Sequence, residues 1–162
     1  MAGQRRIVIG IGNPNRGDDA AGPAVVRRLR GALPGDTELV EHSGEATALL
    51  GLLAGATAAF LVDACASGAP AGTIHRRDLH EGDLPPAAAM LSSHGLGLAA
   101  ALALARALNQ LPPRCIVYAI EGQSFDWGTS LSPPVANAVD AVASRLRAEL
   151  SETGGVPCTR PC

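Results

Sequence analysis

The sequence predicts an α/β fold: a single three-layer domain with a mostly parallel five-stranded sheet and helices on both faces. Apolar strand-like runs alternate along the chain with helix-like segments, which is typical of βαβ units. The first run, residues 7–11, is apolar almost throughout, as expected of a strand buried on both faces. The 162 residues suffice for one such core. We therefore expect one domain over 1–152 and a flexible, cysteine-containing tail over 153–162.

The first half of the chain predicts three strands and two helices. The strand at 7–11 leads through a loop into a helix that begins near Asp19, carries Leu33 in its apolar stripe and ends at the turn 34–36. The elements expected after it are a strand over 38–42, a short helix over 46–53 and a third strand over 58–63.

The second half predicts two more strands and two more helices. The strands are expected over 72–77 and 114–120, with an irregular segment at 78–93. The helix over 96–108 is apolar nearly all round, which indicates a well-buried element. The last helix has Ser132 as N-cap and Pro133 at its first position. Its apolar stripe consists of Val135, Val139, Val142, Leu146 and Leu150.

Composition and charge argue against several classes of protein. The net charge is −2 and basic residues form only short pairs, which disfavours a nucleic-acid partner. No segment has the form of a signal peptide, and the run 96–108 reaches only about half the length of a membrane span. We therefore expect a soluble, cytoplasmic monomer without a membrane partner. Cys65 and Cys115 are expected to be inert buried thiols, and Cys158 with Cys162 is a weak metal or redox signal.

The predicted topology brings three polar residues to the same edge of the sheet. Asp19 follows the loop after the first strand, Asp63 ends the third strand, and His94 precedes the buried helix. Ligands of open α/β sheets bind beyond the carboxyl ends of the strands, so the fold can bring these residues together. Two carboxylates and an imidazole suit a divalent metal with positions left open for water or substrate. We predict all three as catalytic residues and as metal ligands.

Each of these residues also has a structural interpretation. Asp18 is expected to cap the first helix, which leaves Asp19 to point elsewhere. Asp63 could cap a turn, and His94 could form a local hydrogen bond before its helix. A dinucleotide-binding loop is rejected, because Asn15 stands where the third glycine belongs and two acids occupy the place of an anion.

Several short motifs follow one another in consistent order from about Ile7 to Leu150. The first is Gly10-x-Gly12-Asn13 followed by Gly17-Asp18-Asp19-x-x-Gly22. The second and third are Val62-Asp63-Ala64 and Ser93-His94-Gly95-Leu96. The later motifs are Ile120-Glu121-Gly122, Trp127-Gly128, and Leu131-Ser132-Pro133-x-Val135 with Ala138-Val139. Together these motifs resemble those of the hydrogenase maturation proteases.

This resemblance implies a phosphorylase/hydrolase-like domain with a twisted sheet. It implies an endopeptidase that removes the C-terminal extension of a nickel–iron hydrogenase large subunit after nickel insertion, with that precursor as partner. The metal-contacting residues of the family match Asp19, Asp63 and His94, although the first is often glutamate there. The implied metal is nickel that the substrate supplies and that serves as a recognition mark.

Other functions stay open at this point. Residues 9–14 resemble the opening turn of peptidyl-tRNA hydrolases, but residues 17–39 contain no histidine where that family places its catalytic one. A non-catalytic metal-binding chaperone of the hydrogenase precursor would use the same three ligands. A family member specialised for another hydrogenase class is a further alternative.

Overall fold

The computed structural model describes residues 3–33, 35–81 and 95–152, with the backbone alone at Gly95 and Leu96. The predicted tail at 153–162, His94, and most of the predicted irregular segment 78–93 lie outside these residues. The described elements are β1 (Arg6–Ile11), α1 (Ala21–Leu29), β2 (Thr37–His42), α2 (Ala46–Leu53), β3 (Ala58–Cys65), β4 (Ile74–Asp78), α3 (Gly95–Ala107), β5 (Arg114–Glu121) and α4 (Pro133–Glu152), with a 3-10 turn at Gly17–Ala20.

The five strands form one sheet in the order β2-β1-β3-β5-β4. Four strands run parallel, and β4 pairs antiparallel with β5 at one edge. The predicted α/β class is confirmed. The strands β2 and β3 lie on either side of β1. The helix α1, which leads to β2, and the helix α2, which leads to β3, cover opposite faces of the sheet. The carboxyl ends of β1 and β3 therefore form a topological switch point.

Two apolar cores lie on the two faces of this sheet. On one face, α1 and α4 pack against alternate strand residues such as Val8, Phe60 and Tyr118. On the other face, α2 and α3 pack against the intervening residues such as Ile9 and Leu61. The alternation follows from the two-residue repeat of a strand, which explains why the central strands β1, β3 and β5 are mostly apolar on both sides. The predicted α4 stripe is buried at all five positions.

Two glycines allow α1 to approach the sheet closely. A Cβ atom on Gly22 would lie 2.4 Å from the Ile11 carbonyl oxygen and 2.5 Å from that of Val62. One on Gly10 would lie 2.3 Å from the Gly22 carbonyl oxygen. Both contacts involve backbone atoms that cannot move aside, so only glycine fits at this crossing. The start of α1 is thereby held against the ends of β1 and β3.

Several expected boundaries were wrong. The first helix ends at Leu29, because Arg30 is extended (φ −59°, ψ 126°) and Gly31 has φ 74°; Leu33 therefore lies outside it. The strand expected from residue 72 begins at Ile74, since Gly72 forms a turn with φ 85°. In α3, Leu104 is 45% exposed, so this helix has an open face that its composition did not indicate.

No helix within the described ranges combines the length and apolar character needed to cross a membrane.

Candidate active site

The first predicted site residue, Asp19, is folded back against the end of β1. It lies in the 3-10 turn and is fully buried. Its Oδ2 atom accepts a hydrogen bond from the Asn13 N–H at 2.8 Å. Gly12 has φ 143°, and a Cβ atom there would lie 1.9 Å from the Asp19 carbonyl oxygen. The glycine at the end of β1 is therefore what lets Asp19 come so close to that strand.

The second predicted site residue, Asp63, lies near the carboxyl end of the neighbouring strand β3, which extends two residues beyond its predicted end. It is 3% exposed, and its Oδ1 atom accepts a hydrogen bond from the Ala64 N–H at 2.8 Å. It stands one residue beyond the pair that Val62 forms with Gly10 of β1. Asp19 and Asp63 therefore both lie at the carboxyl ends of adjacent parallel strands, at the switch point of the sheet. Their role as catalytic residues and metal ligands stays a prediction.

The third predicted site residue, His94, lies outside the described residues. The helix that follows it directly, α3, starts at the same edge of the sheet. A Cβ atom on Gly97 would lie 2.0 Å from the carbonyl oxygen of Gly44, two residues after β2 ends. The first turn of α3 is thus packed against the loop at the carboxyl end of β2.

Asp18 does not cap a helix, contrary to expectation. It is fully buried, and neither the 3-10 turn nor α1 has a side-chain cap hydrogen bond. Its carboxylate accepts instead from the N–H groups of Gln123 (2.7 Å), Ser124 (3.1 Å) and Ser132 (2.7 Å), and from the Ser132 hydroxyl (2.9 Å). Asp18 therefore joins the loop after β1 to the segment between β5 and α4.

Backbone contacts strengthen this junction. The Gly17 N–H donates to the Thr129 carbonyl at 3.2 Å, and the Gly128 N–H donates to the Asn15 carbonyl at 2.8 Å. Gly17 has φ 53°, and a Cβ atom on it would lie 2.5 Å from the Ser124 carbonyl oxygen. The loop that carries Asp19 is thus held by several contacts against the segment between β5 and α4.

A groove of about 300 Å³ opens between the ends of β1 and β2, next to the loop that leads to Asp19. It is lined by Gly12, Asn13, Pro14, Glu41, His42 and Ser43. Asn13 connects it directly to Asp19 through the hydrogen bond given above. The Gly44 N–H donates to His42 Nδ1 at 2.9 Å, so a neutral His42 carries its proton on Nε2. Sequence reasoning did not single out His42, although it ends a strand at the same edge.

A second cluster of ligand-type side chains lies farther along the same edge. One potential metal-ligand atom from each of Cys65, His75 and Glu121 lies within 4.8 Å of the other two. Cys65 was expected to be a buried thiol, and it is 2% exposed. Burial, and then the Glu121 carboxylate, raise the pKa of this thiol to about 12. The sequence does contain a signal for this placement: Cys65 follows Asp63 by two residues, and residues two apart in a strand lie on the same face.

Glu121 is held in its ionised form within this cluster. Burial opposes ionisation, but hydrogen bonds from Ser67 and His75 outweigh it and lower the pKa of the Glu121 carboxyl. The Ser67 N–H lies 3.1 Å from Oε2, the Ser67 hydroxyl bonds to Oε1, and His75 Nε2 lies 3.1 Å from Oε1. The cluster is therefore a compact set of one thiol, one imidazole and one carboxylate.

Comparison with solved structures identifies proteins of the same fold. The hydrogenase maturating endopeptidase HybD from E. coli is 26% identical, with a TM-score of 0.80 over 93% of this chain and 94% of that one. The [NiFe] hydrogenase maturation protease HycI from Thermococcus kodakarensis is 25% identical, with a TM-score of 0.69 over 92% and 94%. None of the curated proteins compared with the sequence matches it.

The comparison with family models extends to most of the chain. Residues 23–149 match the model described as HycI, hydrogenase maturation protease. This stretch runs from the first turn of α1 into the last turns of α4 and includes Asp63 and His94. The motif resemblance seen in the sequence is thereby confirmed, and the peptidyl-tRNA hydrolase alternative is set aside. The chain belongs to the hydrogenase maturation protease family and is, accordingly, a hydrolase.

Proposed function

We propose that this protein removes the C-terminal extension of a nickel–iron hydrogenase large subunit after nickel insertion. In this proposal, Asp19, Asp63 and His94 contact the nickel that the precursor carries. The observation that carries it is the placement of two buried carboxylates at the ends of adjacent parallel strands, in a chain of the maturation protease family.

The chemistry of the donor set supports nickel as the recognised ion. Imidazole binds nickel well, and carboxylate oxygens complete the ligand shell of such a site. Burial opposes a carboxylate charge, and a divalent cation bound by both buried carboxylates would offset part of that cost. An incomplete protein ligand set then favours precursor that brings its own nickel over precursor that lacks it.

The groove beside Asp19 supports binding of an extended peptide. It opens at the carboxyl edge between β1 and β2, and Asn13 forms part of both the groove and the Asp19 hydrogen bond. A peptide segment lying there would bring its carbonyl groups next to the acids. Asp19 or Asp63 could then accept a proton from the water that attacks the scissile carbonyl.

A cleavage assay with site variants tests this proposal. Asp63→Asn keeps the shape of the side chain but removes its charge, so we expect cleavage of nickel-loaded precursor to fall by about 100-fold or more. Asp140→Asn is the matched control, since Asp140 lies on α4 with 56% of its side chain exposed. Precursor cleavage is read by intact mass, and far-UV circular dichroism verifies folding.

Two results would argue against the proposal. A folded Asp63→Asn protein that cleaves at the wild-type rate removes Asp63 from the site. Wild-type protein that binds the nickel-loaded precursor without shortening it favours the chaperone alternative.

A further inference from the structure

The sheet brings three different metal-ligand types to one face at its carboxyl edge. Cys65 of β3 and Glu121 of β5 are register partners in parallel strands. His75 of β4 pairs with Ala119, two residues before Glu121. Because paired residues, and residues two apart, share a face of the sheet, all three side chains point the same way.

The spacing of their donor atoms fits one small cation. The three atoms lie within 4.8 Å of one another, and His75 Nε2 is already 3.1 Å from the Glu121 Oε1 atom. Tetrahedral zinc, with its usual bond lengths, separates its ligand atoms by about 3.3 to 3.6 Å. To close around an ion, the ligand atoms therefore need to approach one another by at most about 1.5 Å.

The surroundings hold the ligands in place and leave a route for the ion. Ser67 donates to the Glu121 carboxylate through both its N–H and its hydroxyl, the kind of outer contact that orients a metal ligand. The Gly122 N–H donates to the Cys65 carbonyl at 2.9 Å, which locks the two strand ends together. Cys65 and Glu121 are buried, whereas 38% of the His75 side chain is exposed. An ion can therefore enter past His75.

We propose that Cys65 Sγ, His75 Nε2 and the Glu121 carboxylate form a second metal site that binds one zinc-class divalent cation. Sulfur and imidazole select such an ion over magnesium or calcium. On binding, the Cys65 thiol releases its proton to solvent and the thiolate bonds to the metal. Three protein ligands leave a fourth position for water or another ligand.

The ligand set of this site differs from that of the predicted nickel contact. Cys65 lies two residues beyond Asp63 in β3, about 6.6 Å along the strand. Its ligand set contains sulfur, whereas Asp19, Asp63 and His94 provide only oxygen and nitrogen. The proposal goes beyond precursor cleavage, and its test uses no hydrogenase, so either can fail without the other.

Cobalt(II) is the probe, because a cobalt–thiolate bond gives a strong near-ultraviolet charge-transfer absorption that oxygen and nitrogen ligands do not give. The full-length chain is used with Cys158→Ser and Cys162→Ser, so that the tail cannot contribute thiolates. After treatment with a chelator, it is titrated with cobalt. We expect this absorption to saturate at one equivalent of cobalt and to disappear on addition of one equivalent of zinc.

Variants assign the signal to the cluster. We expect Cys65→Ser and Cys65→Ala to abolish the absorption, and His75→Gln or Glu121→Gln to weaken cobalt affinity by about tenfold or more. Cys115→Ser is the matched control, since Cys115 is a buried cysteine of the neighbouring strand outside the cluster. It should keep the absorption, as should the Asp19→Asn, Asp63→Asn double variant. Circular dichroism confirms that each variant is folded.

The proposal is overturned by either of two results. One is the absence of thiolate absorption at saturating cobalt in the folded parent protein. The other is an absorption that persists in a folded Cys65→Ala variant.

Discussion

At the scale of single residues, two adjacent aspartates serve different parts of the molecule. Asp18 and Asp19 are both fully buried. Asp18 bonds to the segment before α4, whereas Asp19 bonds back to the end of β1. The motif that contains both acids therefore combines a structural carboxylate with a candidate catalytic one.

The structural role of Asp18 leads to a stability prediction. Asp18→Ala leaves three partly buried N–H groups and the Ser132 hydroxyl without their acceptor. We expect the free energy of unfolding to fall by about 3 kcal/mol or more, since each unsatisfied donor costs about 1–3 kcal/mol. Urea denaturation measures this change. Asp140→Asn on the exposed side of α4 should change stability by no more than about 0.5 kcal/mol, and equal effects of the two would refute the assignment.

The sequence allowed some of these residue roles to be predicted and not others. Asp19 and Asp63 could be placed at one edge because the first follows β1 and the second lies near the end of β3, and both strands are recognisable from their apolar runs. The partners of Asp18 could not be foreseen, since they lie more than 100 residues away along the chain. The Cys65–His75–Glu121 cluster depends in the same way on β4 pairing antiparallel with β5, which no local pattern specifies.

At the scale of elements, the crossing of α1 over β1 and β3 depends on glycine. We expect Gly22→Ala to prevent folding or to lower the free energy of unfolding by several kcal/mol, because the added carbon would overlap two backbone carbonyls. Gly51→Ala is the matched control: Gly51 lies in α2 with no atom within 4 Å of the added carbon. It should raise stability by about 0.5–1 kcal/mol. Similar thermal midpoints for both variants would contradict the close-packing argument.

The contact between α4 and the β4–β5 edge leads to a pH prediction. Glu149 of α4 accepts from Arg76, Tyr118 and Arg114. Burial opposes ionisation of Glu149, but the bonds from Arg76 and Tyr118 outweigh it and lower the pKa of this carboxyl from about 4.5. The resulting stability is present above that value and is lost as pH falls through the lowered pKa of the folded state.

Glu149→Gln should therefore lower the free energy of unfolding by about 2 kcal/mol at pH 7. The difference from the parent protein should shrink as pH falls below about 4.5, the ordinary pKa of glutamate. Urea denaturation across this range measures it. A difference that is constant with pH would show that the lost stability does not come from the charge of Glu149.

At the scale of the whole molecule, the alternation of strands and helices sufficed to predict one α/β domain with a switch point at its carboxyl edge. The order of the strands, and which helices share a face, followed only from the three-dimensional structure, since both depend on long-range pairing. The same edge holds Asp19, Asp63, the groove and the Cys65 cluster. The candidate chemistry of the described residues thus lies together on one side of the molecule.

The most direct test of the account is cleavage of a purified hydrogenase large-subunit precursor, prepared with and without nickel and read by intact mass. We predict a mass loss equal to a C-terminal peptide in the nickel-loaded sample alone. Cleavage of both samples would contradict nickel recognition by Asp19, Asp63 and His94. An unchanged mass in both samples, with cognate precursor and folded enzyme, would contradict the proposed processing activity itself.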